Sequence, residues 1–320
     1  MKNSIKSIAL CFFVATSFLL TSCSSDDDNQ ATVDNTITGI ASKNPEFSIL
    51  VEALVKTDLA ATLQGTDNYT VFAPTNAAFT AYLGTSNINA VPTATLKELL
   101  LNHVLVGTKK AADLSTKYEK TLAKGAASTT NTLSMYVNVS GSTVKLNGAA
   151  TVTTADVLAS NGVIHIVDKV IELPTVVTHA AANSNFTTLV SVLNRSGQPN
   201  FITTLQGAGP FTVFAPTNAA FTSLDTELAA NGGIAGVSAD NLTKILQYHV
   251  VSPANVLAST LTEGQLVTPI LVPSQQFTIQ LTGGAKIKDA RNRLSNIIIT
   301  DVQCANGLIH AIDKVLLPVF

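Results

Sequence analysis

Apolar residues near position 50 recur at helical spacing: Phe47, Leu50, Val51, Leu54 and Val55 lie on one face of a turn, and Phe186, Leu189, Val190 and Leu193 repeat the pattern. Each set predicts an amphipathic helix with one buried stripe. Tyr69-Thr70-Val71-Phe72 alternates as a short strand that Pro74 ends. Thr75 or Asn76 can then cap a helix through its side-chain oxygen, with Phe79 turned inward. Residues 95–101 read as a helix flowing into a strand around 103–106. Residues 143–154 and 277–281 are rich in Val, Thr and Ile and read as antiparallel strands. The Asn-Gly pairs at 161–162 and 306–307 mark tight turns before a final strand. In that strand, alternation sets His165 with Val163 and Val167, and Ile164, Ile166 and Val170 opposite, so both faces are apolar and buried.

The whole pattern occurs twice. Residues 70–79 read TVFAPTNAAF and residues 212–221 read TVFAPTNAAF again; residues 161–171 read NGVIHIVDKVI and residues 306–316 read NGLIHAIDKVL. Between them lie LLLNHVLVG (99–107) and ILQYHVVSP (245–253). The spacing is nearly constant, 82 positions from Phe79 to Asn161 and 85 from Phe221 to Asn306. A period this long is a domain duplication, not a solenoid. The boundary falls at Leu173-Pro174-Thr175, giving domains over 36–174 and 175–320. Each copy holds about 140 residues, enough to bury about two-thirds of its unfolded surface without a metal or disulfides.

Ahead of the copies, Lys2 and Lys6 precede an apolar run from Ile8 to Leu20 and the small residues Thr21 and Ser22. This reads as a secretory signal peptide over 1–22, and the run is shorter than the about 20 residues a spanning helix needs. Leu20-Thr21-Ser22-Cys23 resembles a bacterial lipobox, which implies lipid attachment at Cys23. Residues 23–35 carry Asp26, Asp27 and Asp28 and no apolar face, as expected of an acidic, flexible tether. Ser24 followed by an acidic run resembles outer-membrane sorting and surface export. The expected location is therefore the outer membrane, lipid-anchored and facing the cell surface, with a periplasm-facing orientation as the alternative.

Composition narrows the partner more than it names it. The chain is 46% hydrophobic and 12% charged, which excludes a mostly disordered protein. Residues 36–174 hold ten acids and ten bases and residues 175–320 hold seven of each, so both copies are neutral. Without a Lys and Arg surplus, nucleic acid is not the expected partner. Once Cys11 is cleaved off and Cys23 acylated, Cys304 is the one thiol left, so no intramolecular disulfide forms. Its apolar neighbours mark it as a small buried hydrophobe.

These motifs carry a resemblance. TVFAPTNAAF resembles the first signature of the fasciclin domain family, and NG(V/L)IH…(V/I)DKV resembles the second, so the chain is similar to two tandem fasciclin domains over residues 36–320. The resemblance implies an α+β fold: in each domain a wedge-shaped β-sandwich with helices packed along it. It also implies adhesion at cell surfaces or in extracellular matrix. The family's Tyr-His motif is present as Tyr248-His249, while copy one has Asn102-His103. By position these are candidate adhesion contacts, with ordinary packing at a helix–strand junction as the alternative. The family's Asp-Ile element is matched by Asp156-Val157 and Asp301-Val302, whose Asp can equally fix a turn.

Other residues invite simpler readings. His165 and His310 are expected to be structural, hydrogen-bonded histidines, with Asp168 and Asp313 in the same network or at the strand end. Lys286, Lys288, Arg291 and Arg293 form a basic cluster that could hold an acidic glycan or anionic lipid headgroup, or could be a solvated hairpin. The sequence carries no nucleophile elbow, phosphate-binding loop or zincin helix, and its histidines lack metal-ligand spacing. The expectation is a protein without catalysis, cofactor or metal. It would be a lipid-anchored envelope protein mediating adhesion or matrix interaction, its partner a protein or glycan at a surface. The alternative is an accessory lipoprotein binding a glycan or small ligand, for which 6% aromatic residues and no Trp offer little sugar stacking.

Overall fold

In the computed structural model, which describes residues 34–320, each copy opens with three short helices and a strand. In copy one these are α1 (Ile37–Lys43), α2 (Ser48–Lys56), α3 (Leu59–Gln64) and β1 (Tyr69–Pro74). There follow α4 (Asn76–Leu83), α5 (Thr93–Leu101), β2 (Val104–Val106), β3 (Lys117–Gly125), β4 (Ser128–Ser140), β5 (Thr143–Leu146), β6 (Ala150–Ala159) and β7 (Gly162–Val167). Copy two repeats the order with α6 (Val176–Ala182), α7 (Thr187–Leu193), α8 (Phe201–Gln206), β8 (Phe211–Pro216), α9 (Asn218–Glu227) and α10 (Ala239–Tyr248). Its remaining strands are β9 (Val250–Val251), β10 (Leu266–Val267), β11 (Phe277–Gln280), β12 (Lys286–Lys288), β13 (Leu294–Cys304) and β14 (Gly307–Ile312). The expected signal peptide, Cys23 and nearly all of the tether lie outside the described residues.

The sheets share one plan. β1 runs parallel to β7, and β8 to β14, each over six residues in register; every other pair is antiparallel. In copy one the seven strands close into a barrel. In copy two the sheet stays open between β9 and β10, where the Ile270 N–H reaches the Val250 carbonyl at 2.8 Å. The α+β wedge thus has one closed and one nearly closed form.

Each central strand is buried on both faces, which gives each copy two cores. Phe72, Met135, Val137, Leu146 and Val167 fill the inside of the first barrel, while Val71, Ala73 and Ile164 meet Leu50, Leu54, Leu63, Phe79 and Leu100 of the helices. Phe214, Tyr248, Phe277, Ile279 and Ile312 do the former in copy two, and Val213, Phe221, Leu246 and Ile309 the latter. Burying a side chain of this size stabilises the fold by about 1.5–3 kcal/mol.

The repeated motif residues are fasteners of this scaffold. Thr75 and Thr217 cap α4 and α9 by accepting from Ala78 and Ala220 N–H at 3.2 and 3.3 Å. Asn76 accepts from Ile49 N–H and donates to the Pro45 carbonyl and the Ser48 hydroxyl, tying α4 to the start of α2; Asn218 does the same with Thr188, Ser184 and Thr187. Asn161 accepts from Ile37 N–H at 2.9 Å and donates to the Leu63 and Gly65 carbonyls, so one buried amide joins the start of α1 to the end of α3. Asn306 repeats all three bonds with Val176, Leu205 and Gly207. The glycine after each must be glycine: a Cβ on Gly162 would stand 1.9 Å from the Tyr69 carbonyl oxygen, and one on Gly307 2.2 Å from that of Phe211.

The two copies lie within one compact unit spanning residues 34–320 and touch directly. The β3–β4 turn meets the end of β13, where Ala127 N–H donates to the Ala305 carbonyl at 2.9 Å. Gly125 lies so close that a Cβ there would fall 2.4 Å from Ala305 Cα. Gln303 N–H donates to Ser134 Oγ at 3.1 Å, and Asn183 Nδ2 to the Tyr118 hydroxyl at 3.1 Å. Tyr118 packs against the helix-side core of copy two, edge-on to His179 with ring centroids 5.3 Å apart.

Candidate functional site

The Tyr-His motif and its counterpart are interior. Asn102 and Tyr248 are 0% exposed, His103 2% and His249 4%, so none of the four offers its side chain to a partner. His103 donates from Nδ1 to the Leu99 carbonyl at 2.8 Å and accepts at Nε2 from Ile171 N–H at 2.8 Å; His249 does the same with Ile245 and Leu316. The N–H aimed at Nε2 fixes the Nδ1-protonated neutral tautomer. Burial, only partly offset by the bond to the carbonyl, pushes both rings down to about 4. Tyr248 donates to the Gln276 carbonyl and accepts from Ala290 N–H, spanning the second barrel, and burial raises its phenol to about 12. Asn102 uses its amide on the Ile171 and Glu172 carbonyls. Of the two readings of these residues, direct contact gives way to packing: they pin the segment after the last strand of each copy onto its helix–strand junction.

His165 and His310 are structural, as expected, in the opposite tautomer. Asp156 N–H points at His165 Nδ1 at 3.3 Å, and Nε2 reaches the Lys109 carbonyl at 2.9 Å. His310 repeats this with Asp301 and Val256, and the rings stack on Phe72 and Phe214. Burial lowers His310. Asp156 and Asp301 stand at φ 61° and 55°, in bulges of β6 and β13, and accept from Ala111 and Ala258 N–H at 2.8 Å. Each carboxylate thus holds the loop that its neighbouring histidine also holds. Asp168 and Asp313 brace the strand ends through Thr151 and Asn296 N–H.

The basic cluster disperses on folding. Arg293 pairs with Glu227 at 3.0 Å and with Asp289 at 3.7 Å, and donates to the Val315 carbonyl. Arg291 donates to the Pro318 carbonyl and lies over the Phe320 ring. Lys286 and Lys288 share one face of β12, and Lys286 turns back to the Thr282 carbonyl. The arginines fasten the C-terminal segment instead of joining the lysines in a polyanion site. Cys304 is fully buried, and its surroundings push the thiol well up.

What the fold builds and the sequence reading missed is a cleft of about 430 Å³ between the copies. Tyr118, Glu119, Lys120, Ser134 and Tyr136 of β3 and β4 form one wall; Asn183, Asn185 and residues 299–302 of β13 form the other. The two tyrosine rings lie 5.0 Å apart at 49°. Glu119 is paired with Lys117 and Lys109, and Lys120 donates to Ser134 Oγ and the Asp301 carbonyl. Behind this wall His179 is fully buried; its ring lies near the Ser134 backbone, short of a hydrogen bond, with neither nitrogen partnered among the described residues. Burial, with a small push from Lys120, lowers it to about 3.

The duplicated α+β wedge is that of a tandem-domain protein. The fasciclin domain model matches residues 45–174 and 184–318, and the chain belongs to that family. It is 35% identical over 146 residues to protein sll1483 of Synechocystis, covering 45% of this chain and 73% of that one. It is 29% identical over 269 residues to transforming growth factor-beta-induced protein ig-h3 of Sus scrofa, covering 80% of this chain but 35% of that longer protein. Among solved structures, a FAS1 domain pair from the insect cell adhesion molecule Fasciclin I aligns with a TM-score of 0.54 at 20% identity, over 86% of this chain and 98% of that one. Fasciclin domains are found in cell-adhesion and surface proteins.

Proposed function

We propose that this chain is a lipid-anchored envelope protein that mediates adhesion to a neighbouring surface or matrix without chemical turnover. The observation that carries the reading is the joining of an export and lipidation pattern ending at Cys23 to two complete fasciclin domains. The fasteners described above suit a display role: buried amides and imidazoles lock each copy, and the inter-copy contacts give the pair a defined face on a tether. Protease treatment of intact and lysed cells, followed by immunoblot, tests it. Cleavage in intact cells and loss of membrane association in Cys23→Ala are the expected results. Protection until lysis would move the domains to the periplasm and remove the adhesion reading.

A further inference from the structure

We propose that the cleft between the two copies binds a neutral, polyhydroxylated ligand, a segment of an uncharged glycan. The volume, about 430 Å³, lies inside the roughly 300–1,000 Å³ range of small-ligand sites. The charges of the lining balance: Lys117 and Lys120 against Glu119 and Asp301, with the first carboxylate already paired and the second accepting from Ala258 N–H. A charged ligand therefore meets no surplus of opposite sign. The groups that remain suit sugars: the hydroxyls of Tyr136 and Thr300 and the amide of exposed Asn185, each able to donate and accept, while Thr116 is held by the Val139 backbone. Two of the chain's five tyrosines stand here: half-buried Tyr118 lines the cleft with apolar ring surface, while Tyr136 is only 3% exposed.

The wall is also held in advance. Tyr118 is fixed by the Asn183 amide at its hydroxyl and by His179 at its ring, both from copy two, so the site exists only while the copies are docked. An ordered wall lowers the entropy lost on binding. A peptide is a poorer match: its usual grips are an open strand edge or pockets for aliphatic side chains, and the aliphatic residues here are Ile299 and the buried Val302. The proposal goes beyond the adhesion reading and does not depend on where the chain is displayed.

The test is titration of the purified full chain with short β-glucan, α-mannan and galactan oligosaccharides, followed by calorimetry and by tyrosine emission, which no Trp obscures. Saturable binding of at least one neutral probe is expected, weakened about tenfold by Asn185→Ala and by Tyr136→Phe at unchanged circular dichroism. The double variant Lys286→Ala/Lys288→Ala, outside the cleft, binds as the parent does. Absence of saturable binding to every neutral probe overturns the proposal. So does binding that survives both cleft variants, or a preference for polygalacturonate fragments. Because the measurement uses purified protein, its failure leaves the protease result on cells standing, and the reverse holds too.

Discussion

Acid should unfold this protein through its histidines, above the range where carboxylates titrate. His103, His249 and His179 are buried as neutral rings, lowered from an ordinary value of 6.5 to about 4, 4 and 3. The unfolded chain takes up these protons near pH 6.5 and the folded chain does not, so between pH 6.5 and about 4 the unfolded state binds more protons. Stability is then full above pH 6.5 and falls as the pH drops through that window. At pH 5 each ring costs about 2 kcal/mol relative to pH 8, and the three together about 6 kcal/mol. That loss compares with the 5–15 kcal/mol that holds a typical domain together. Geometry agrees: protonating His103 or His249 would set an imidazolium N–H against the N–H of Ile171 or Leu316.

Urea unfolding at pH 8, 6 and 5, followed by circular dichroism, measures the effect, and staying above pH 4.5 keeps most carboxylates ionised. The expected slope near pH 5 approaches three protons, about 4 kcal/mol per pH unit. His179→Leu separates the contributions. It removes no hydrogen bond, so it should leave stability at pH 8 intact and reduce the acid loss by about a third. An unfolding free energy that moves by less than about 1 kcal/mol between pH 8 and pH 5 would refute the burial argument.

Four further outcomes follow from the same contacts. Asn306→Ala leaves Val176 N–H and the Leu205 and Gly207 carbonyls without their partner and should cost about 3–5 kcal/mol in urea unfolding. Tyr248→Phe deletes the hydroxyl that joins Gln276 to Ala290 and should cost about 1–2 kcal/mol; loss of partner binding at unchanged stability would contradict its interior role. Gly125→Leu forces a side chain into Ala305 and should separate the copies, seen as a larger radius in small-angle scattering and two thermal transitions in place of one. Cys304 should resist a thiol reagent in the native protein and react once urea is added, because the buried thiol holds its proton.

The sequence disclosed those elements whose periodicity is set by a buried face. α2, α7, β1 and β7 announce themselves because one or both faces are apolar. The long β3–β4 hairpin stayed silent: Lys117, Glu119, Lys120 and Lys124 fill β3, and Ser128, Thr129, Thr130 and Asn131 open β4. Its apolar positions, such as Leu133 and Met135, are packed only once the sheet is closed. The Asn-Gly pairs were legible as turns, yet the larger role of Asn161 and Asn306, three bonds to helices about 100 residues away, has no local signal. The Tyr-His motif left two readings open for a related reason. Nothing local decides between contact and packing, because the backbone groups that satisfy the histidines in the interior arrive from 67 and 68 residues downstream.

Duplication separates what the fold requires from what a partner reads. The repeated motif residues that carry polar groups, from Thr75 and Thr217 to His165 and His310, are engaged in capping and stapling the scaffold. Much of the cleft, by contrast, is lined by residues at which the copies differ, beside Asn183, Asp301 and Val302, which repeat Asn44, Asp156 and Val157. Tyr118 and Tyr136 come from the β3–β4 hairpin, and copy two supplies shorter strands in its place. His179 stands at the helix position where copy one has Ile40, and only His179 faces a tyrosine of the other copy. A repeated motif in such a chain is therefore a guide to the scaffold. The binding chemistry is to be sought where one copy has departed from the other.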